Sequence, residues 1–169
     1  MAIIAHFSTH GAPGVTMSTL ALALQWPRPV LLVEADTASP SSILAGFMRG
    51  RVVYERNMTQ LANNMKKFGQ TSKTVFDQMI PLAQDPARFA EDKQYRKHLL
   101  PAFPSPRAAT GHKAFWRDLL IATRAFEKAT GYDVFFDMGR ITTRETERMA
   151  LVTNADLAVA HLSATFIDT

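Results

Sequence analysis

The sequence predicts an α/β protein with a mostly parallel sheet and helices on both faces. Strand, helix and strand patterns follow one another within roughly the first 35 residues, which is the order of a βαβ unit. An amphipathic helix precedes another buried strand further along the chain. The length of 169 residues, with 47% hydrophobic and 20% charged residues, is typical of a soluble globular chain with one core. We therefore expect residues 1–169 to form a single domain.

The N-terminal unit begins with a strand from Ala2 to Ser8. Branched and aromatic residues dominate this stretch, as in a strand that is covered on both faces. The segment Gly11–Gly14 breaks the pattern. From Val15 to Trp26 apolar residues recur at helical spacing, and Pro27 ends the predicted helix.

A second strand and a less regular middle segment follow. Val30–Asp36 predicts another buried strand, and a helix begins near Ile43. Residues 51–89 have a polar, helical rhythm with apolar contacts at intervals. The stretch His98–Phe103 is short enough to be a strand, and the prolines after it end it.

The C-terminal third alternates again between helix and strand. His112–Thr130 predicts an amphipathic helix, and Tyr132–Gly139 predicts a buried strand. Thr142 or Thr143 can cap the next helix, since threonine oxygens accept from the first N–H groups of a helix. Ala155–Ser163 predicts the last strand.

The order of the strands in the sheet can also be predicted. We expect Ala2–Ser8 to be central, because the chain returns to one sheet by right-handed crossovers. Its expected neighbours are Val134–Asp137 and either His98–Phe103 or Val30–Asp36.

The composition excludes several functional classes. There is no cysteine, which excludes disulfides, thiolate metal sites and a cysteine nucleophile. No apolar run reaches the length of about 18 residues that a membrane span needs. The apolar N-terminus has no basic leader, so we expect a cytoplasmic protein. The net charge of +4 permits contact with nucleic acid or anionic lipid without requiring it.

Three polar clusters stand where predicted strands end: Gly11–Ser18, Asp36–Ser42 and Asp137–Arg140. In an open parallel sheet, ligands bind outside the carboxyl ends of the strands. The first cluster offers backbone N–H groups at a helix N-terminus, which is a ready anion site. The other two bring carboxylates, which suit a hydrated Mg²⁺ or the orientation of a water molecule.

These residues resemble the ParA/MinD family of P-loop ATPases, which has a deviant Walker A loop. That loop reads lysine, two small residues, any residue, glycine, lysine and threonine. The matching residues here are His10, Gly11, Ala12, Pro13, Gly14, Val15 and Thr16. The stretches "PVLLVEAD", "YDVFFDMGR" and "ADLAVAHLS" resemble further strands of the family.

The resemblance implies a role for each matching residue. Asp36 would position the attacking water, and Asp137 would lie near Mg²⁺ together with the Thr16 hydroxyl. Gly139 would lie near the γ-phosphate. The nucleotide-binding residues would be Gly11, Ala12, Pro13, Gly14, Val15, Thr16, Met17 and Gly139. The implied cofactors are ATP and Mg²⁺.

Both lysines of the family loop are absent, since His10 and Val15 occupy their positions. Losing a charge-assisted contact costs about 1.5–3 kcal/mol of binding. Its loss from a transition-state clamp can cost roughly 10²–10³ in rate. The imidazole of His10 is a weak substitute, because histidine is mostly neutral at pH 7. The sequence therefore predicts weak or absent ATP hydrolysis.

The resemblance covers about residues 1–50 and 115–163, whereas 51–114 match only in rhythm. The family continues with further strands that hold the nucleotide base. We therefore expect a C-terminally short domain of the P-loop NTPase type, with an incomplete base pocket.

Simpler interpretations of the same residues stay open. Gly11–Gly14 can be a tight strand-to-helix turn, and Asp36 can cap the helix behind it. The basic residues of the middle segment can form a solvated face or contact DNA phosphates non-specifically. These residues are Lys66, Lys67, Lys73, Lys93, Arg96 and Lys97.

Two functions of different class follow. In the first, the protein is a dimerising, nucleotide-dependent switch that positions or partitions a cellular cargo. In the second, it is a pseudo-ATPase scaffold that docks an unidentified protein partner without turnover. The missing lysines argue against catalysis and so favour the scaffold. The glycines, Thr16, Asp36 and Asp137 favour residual nucleotide binding.

Overall fold

The computed structural model describes residues 1–10, 14–50, 55–82, 96–112 and 114–162. It contains a six-stranded sheet in the order β3–β4–β2–β5–β1–β6. The strands are β1 (Ile3–Ser8), β2 (Val30–Glu34), β3 (Ile80–Pro81), β4 (Lys97–Leu100), β5 (Asp133–Arg140) and β6 (Leu157–Ala160). Four strand pairs are parallel and only β3 with β4 is antiparallel. The predicted α/β class with a mostly parallel sheet is confirmed.

Seven helices connect the strands in the described ranges. They are α1 (Val15–Gln25), α2 (Ser42–Ala45), α3 (Met58–Phe68), α4 (Ser72–Phe76), α5 (Pro106–Thr110), α6 (Phe115–Thr130) and α7 (Thr146–Thr153). None of them is long and apolar enough to cross a bilayer.

The sheet buries apolar residues on both faces. Along β2, Val30 and Leu32 join one hydrophobic cluster, while Leu31 and Val33 join another on the opposite face. The helices α1 and α2 contribute to the first cluster, and α3 to α7 contribute to the second. Every residue of β2 is buried, which explains why its sequence is continuously apolar up to Glu34.

The three crossovers share one hand. The chain passes from β1 through α1 to β2 in one direction across the sheet, with α1 on the first face. It passes from β4 through α6 to β5, and from β5 through α7 to β6, in the opposite direction and on the second face. Opposite directions on opposite faces give the same handedness, as parallel sheets require.

The predicted neighbours of β1 are correct on one side only. β1 pairs with β5, with Ile3 opposite Val134 and Ala5 opposite Phe136. On its other side it pairs with β6, not with β2 or β4. β1 therefore lies next to one edge of the sheet and is not central. The physical reason is the final crossover, which carries the chain past β1 and adds a strand beyond it.

The middle segment departs from its helical prediction at Ile80–Pro81, which forms β3 on the edge of the sheet. Proline is tolerated there because an edge strand need not donate every N–H group. A short helix that the pattern did not predict, α5, follows β4. Ser105 caps it by accepting the N–H of Ala108, and Pro106 takes the first position, where a missing N–H costs nothing.

Neither Thr142 nor Thr143 caps the helix that follows β5. Glu145 occupies the N-cap position of α7, three residues further on. Its carboxylate accepts from the backbone N–H of Thr142 at 2.9 Å and from the Thr142 hydroxyl at 3.2 Å. The threonine therefore donates to the acidic residue, and the helix begins one turn later than predicted.

One member of the predicted basic face is buried. Lys97 is 7% exposed, and its ammonium group donates to the carbonyl oxygens of Trp26 and Arg28. Burial lowers its pKa, and Asp133 opposes that shift. Lys97 therefore joins β4 to the end of α1 and cannot contact DNA. Lys93 lies outside the described residues.

Asp133 ties together three separate segments at the amino end of β5. The side chain is 1% exposed and accepts from Ala2 N at 2.7 Å, Trp26 Nε1 at 2.8 Å and Arg28 Nη2 at 2.8 Å. It thereby fixes the start of β1 and the loop after α1 against β5.

We expect Asp133→Asn to lower the free energy of unfolding by about 2–3 kcal/mol, because the amide nitrogen would face a donor at a buried site and the ion pair with the half-exposed Arg28 would be lost. Asp77→Asn is the matched control, since Asp77 pairs with Lys73 only on the surface. Its loss should cost under about 1 kcal/mol. Urea unfolding of both variants measures the difference, and equal midpoints would contradict the assigned role of Asp133.

Candidate functional site

The sheet contains a topological switch point between β1 and β5. These strands are adjacent and parallel, but the helices that follow them, α1 and α7, lie on opposite faces. Chain segments leaving in opposite directions open a crevice at the carboxyl ends of the two strands. In open α/β sheets this crevice is where ligands bind.

A cavity of about 410 Å³ lies at this position. Six of the residues predicted to bind or process a nucleotide line it: Gly14, Val15, Thr16, Met17, Asp36 and Gly139. They come from three distant stretches of the chain. The remaining lining residues are Leu20, Ser39, Ser42, Ile43, Gly46, Phe47 and Arg140. The predicted Gly11, Ala12 and Pro13 lie outside the described residues.

Gly14 sets the direction in which the chain enters α1. Its φ of 97° and ψ of 6° lie in the left-handed region, which glycine adopts at little cost. Its carbonyl accepts the N–H of Ser18 at 2.8 Å and so begins the helical pattern. Gly14, the N-cap residue, has no side chain that could cap the first turn of α1. The first N–H groups of the helix can therefore be satisfied by an anion in the cavity.

Val15, which the resemblance aligns with the loop lysine, is 5% exposed. Its side chain forms an apolar part of the cavity wall together with Leu20. The helix is fixed here by the Thr19 hydroxyl, which donates to the carbonyl of Val15 at 2.7 Å. The residue is thus buried and brings no charge to the cavity.

Asp36 follows β2 and faces the same cavity. Its Oδ1 accepts the backbone N–H of Ala38 at 2.9 Å, which closes a local turn. The helix behind it is capped by Ser41, whose Oγ accepts the N–H of Leu44 at 3.1 Å. The interpretation of Asp36 as the cap of α2 is therefore wrong, and its second carboxylate oxygen is not used by that helix.

Gly139 lies directly against Asp36. Its φ of 56° is left-handed, and a Cβ at this position would overlap the Asp36 carboxyl group. The close approach leaves room only for glycine. The contact brings the loop after β2 and the end of β5 together on one side of the cavity.

Asp137 lies beneath the cavity wall and does not line it. It is 1% exposed, and its Oδ1 accepts the N–H of Gly139 at 3.1 Å. Burial raises its pKa to about 6, while interactions with the Thr16 side chain and the Gly139 N–H oppose that rise. The side chains of Thr16, which lines the cavity, and of Asp137, which does not, therefore interact directly.

Sequence reasoning missed Glu34, the last residue of β2. It is 2% exposed, and its carboxyl group accepts from the Ser41 hydroxyl and from Ile43 N at 3.1 Å. Burial raises its pKa to about 7, and the nearby Asp137 adds to that rise. Glu34 therefore anchors the start of α2, which forms part of the cavity wall. The sequence feature that could have indicated this role of Glu34 is a carboxylate at the end of a continuous apolar run.

Arg148 was also missed. It is 4% exposed, and its guanidinium donates to Thr37 Oγ1 at 2.7 Å and to the carbonyls of Met138 and Arg140 at 2.5 Å and 3.2 Å. It also pairs with Glu145 at 2.5 Å. Burial lowers the pKa of Arg148, and the neighbouring carboxylates oppose that shift. The residue joins the loop after β2 to the end of β5 from behind the site.

The donor set fits a magnesium ion held mainly by its own water and by phosphate oxygens. Mg²⁺ usually takes one or two carboxylates from the protein and no enclosed cage of ligands. The described residues hold no group of three or more histidine, cysteine or acidic side chains that could ligate a metal. Thr16 and Asp137 are the residues that would bind Mg²⁺ in company with phosphate, as the resemblance implies.

Comparison with known proteins adds no functional assignment. No protein-family model matches the chain, and no curated protein matches it. The site is therefore interpreted from its own geometry.

We expect Gly139→Ala to lower the free energy of unfolding by roughly 2–4 kcal/mol, since a left-handed alanine and its overlap with Asp36 both cost energy. Gly111→Ala is the control, because a Cβ there meets nothing within 4 Å and its φ of −77° is ordinary. Chemical denaturation measures both. If both substitutions lower the free energy of unfolding by a similar, small amount, the close contact of Gly139 with Asp36 does not restrict this position to glycine.

Proposed function

We propose that the protein is a ParA/MinD-like nucleotide-binding protein with weak or absent ATP hydrolysis, acting as a dimerising switch that positions or partitions a cellular cargo. The observation that carries nucleotide binding is the convergence of six predicted residues on one cavity at the switch point. Three sequence segments that the resemblance treats as one site lie together. Parallel strands deliver their carboxyl ends to one edge of any such sheet, so the convergence supports a ligand site, and the resemblance supplies the identity of the ligand.

The polyphosphate would bind at the start of α1. The N–H groups of its first turn, which the N-cap Gly14 has no side chain to cap, and the positive end of the helix dipole favour an anion there without a lysine. Thr16 offers its hydroxyl beside Asp137, which suits a magnesium ion coordinated by the phosphates. Asp36 faces the same space and would be the residue that orients a water molecule.

Hydrolysis is expected to be weak because Val15 is apolar and packed in the core. Charge that develops on the γ-phosphate would meet no lysine from the loop. Missing one such contact typically reduces the rate by roughly 10²–10³. Binding depends more on the backbone and is expected to survive better.

The buried Val15 also favours the second candidate, a pseudo-ATPase scaffold that binds a protein partner without turnover. The two candidates share the fold and differ in what the ligand does. For the switch, nucleotide changes the association state of the chain, whereas for the scaffold it does not. Dimerisation and the cargo rest on the resemblance alone.

The test is a titration of ATP, ADP and GTP into the full chain, with and without Mg²⁺. Calorimetry would measure binding, and sedimentation would measure self-association in the same samples. The switch predicts magnesium-dependent binding with ATP-dependent association. Binding without association selects the scaffold, and no binding of any nucleotide rejects the proposed site.

Thr16→Ala should abolish the dependence of ATP binding on Mg²⁺, because the hydroxyl beside Asp137 is lost. Thr143→Ala is the matched control, since Thr143 is exposed and does not line the cavity. Affinities with Mg²⁺ and with a chelator are compared for both variants. If Thr16→Ala responds to Mg²⁺ as wild type does, Thr16 is not a magnesium-side residue.

Val15→Lys should tighten ATP binding by about 1.5–3 kcal/mol, the typical value of a charge-assisted contact, and its ATP turnover is measured alongside that of wild type. Val152→Lys is the control, because Val152 is similarly buried but lies in α7, away from the cavity. Calorimetry gives the affinities, and melting temperatures separate the cost of burying lysine. Equal binding by wild type and a folded Val15→Lys would mean that the start of α1 is only a turn.

A further inference from the structure

The cavity holds one cation that the family pattern does not provide. Among the described residues that line it, Arg140 alone carries a positive charge. It stands at the end of β5, whereas Val15 is the first residue of α1. The positive charge is therefore carried by β5, whereas the lysine of the family loop would correspond to Val15 at the start of α1.

The guanidinium of Arg140 has no partner within the described part of the chain. No ion pair or side-chain hydrogen bond involves it, whereas Arg28, Arg124 and Arg148 are all paired. Asp36 lines the same cavity, yet the two side chains form no ion pair. The charge of Arg140 is therefore not neutralised by an ion pair within the described part of the chain.

The backbone of Arg140 is fixed while its side chain is exposed. Its carbonyl accepts from Arg148 at 3.2 Å, and it lies opposite Ser8 in the sheet. The next residue, Ile141, donates its N–H to the carbonyl of Ser8 at 2.9 Å. The fixed backbone gives the guanidinium a defined origin, while the exposed side chain still has to be ordered when it binds a ligand.

We propose that Arg140 replaces the loop lysine as the cation that binds the phosphate groups of the ligand. This inference rests on the proposed function and names a binding residue for it. The planar guanidinium matches two phosphate oxygens at once, which suits a polyphosphate chain better than a neutral ligand. It belongs to β5, so it would reach the phosphates from a different segment of the chain than α1.

The experiment measures binding of ATP and of inorganic triphosphate to the wild-type chain and three variants. Arg140→Gln removes the charge at similar length, and Arg140→Lys keeps the charge. Arg144→Ala is the control, because Arg144 is an exposed arginine nearby that does not line this cavity. Melting temperatures accompany each titration, so that unfolding is detected separately.

We expect Arg140→Gln to weaken binding of both ligands by roughly tenfold, near the lower end for a hydrogen bond to a charged group. Arg140→Lys should recover part of this loss, and Arg144→Ala should bind as wild type does. The dependence of affinity on salt should decrease in Arg140→Gln. Equal losses for ATP and triphosphate place the contact on the phosphates.

Three results overturn the inference. Wild-type affinity in folded Arg140→Gln shows that Arg140 does not bind the ligand, while the proposed function stands. Arg140→Lys binding no better than Arg140→Gln shows that the charge is not what matters. Absence of binding by wild type rejects the inference together with the proposed function.

Discussion

The parallel pairing of β1 with β5 is the constraint on which the rest of the site depends. It places the end of β1, which leads to Gly14, beside the end of β5, which carries Asp137 and Gly139. β2 pairs on the far side of β5, with Glu34 opposite Asp137, so the loop with Asp36 arrives at the same edge. Because α1 and α7 leave on opposite faces, the chain diverges at the ends of these two strands and opens a crevice there. The cavity follows from this pairing, and so does the close contact of Gly139 with Asp36.

The electrostatics of the site follow from burying acidic groups at this edge. Glu34 and Asp137 are almost fully buried, and burial raises the pKa of each towards neutrality. Hydrogen bonds from Ser41, Ile43 and Gly139 oppose that shift and keep the groups in place. Arg148 lies behind them and joins the loop that carries Asp36 to the end of β5, which carries Gly139. A buried guanidinium is costly unless its donors are satisfied: four oxygen atoms accept from the two Nη groups of this one, whereas its Nε has no partner among the described residues. Its position thereby specifies the relative placement of the loops.

Much of this fold could be predicted from local patterns, because β1, β2 and β5 are continuous apolar runs and α1 and α6 have helical spacing. The convergence of Thr16, Asp36 and Gly139 could be predicted as well, since parallel strands deliver their carboxyl ends to one edge. What could not be predicted depends on contacts distant in sequence. The place of β6 beside β1 is decided by the last crossover, and the burial of Lys97 is decided by the carbonyls of Trp26 and Arg28. In the sequence Arg148 has the pattern of an ordinary helix residue. Its contacts with Thr37 and Met138 come from distant parts of the chain and are visible only in the structure.

The charges of the cavity constrain how an anion could enter it. Asp36 faces the space, and Asp137 lies just beneath it, so a phosphate chain would approach two acidic groups. Two like charges about 4 Å apart repel by roughly 4 kcal/mol near a protein surface. Where a loop lysine is present, it offsets such repulsion, but Val15 cannot. Under the proposed function the offset has to come from a divalent cation beside Thr16 and Asp137 together with the guanidinium of Arg140. A site of this composition would bind free phosphate poorly and a metal-bound polyphosphate well, which is the discrimination that a nucleotide site requires.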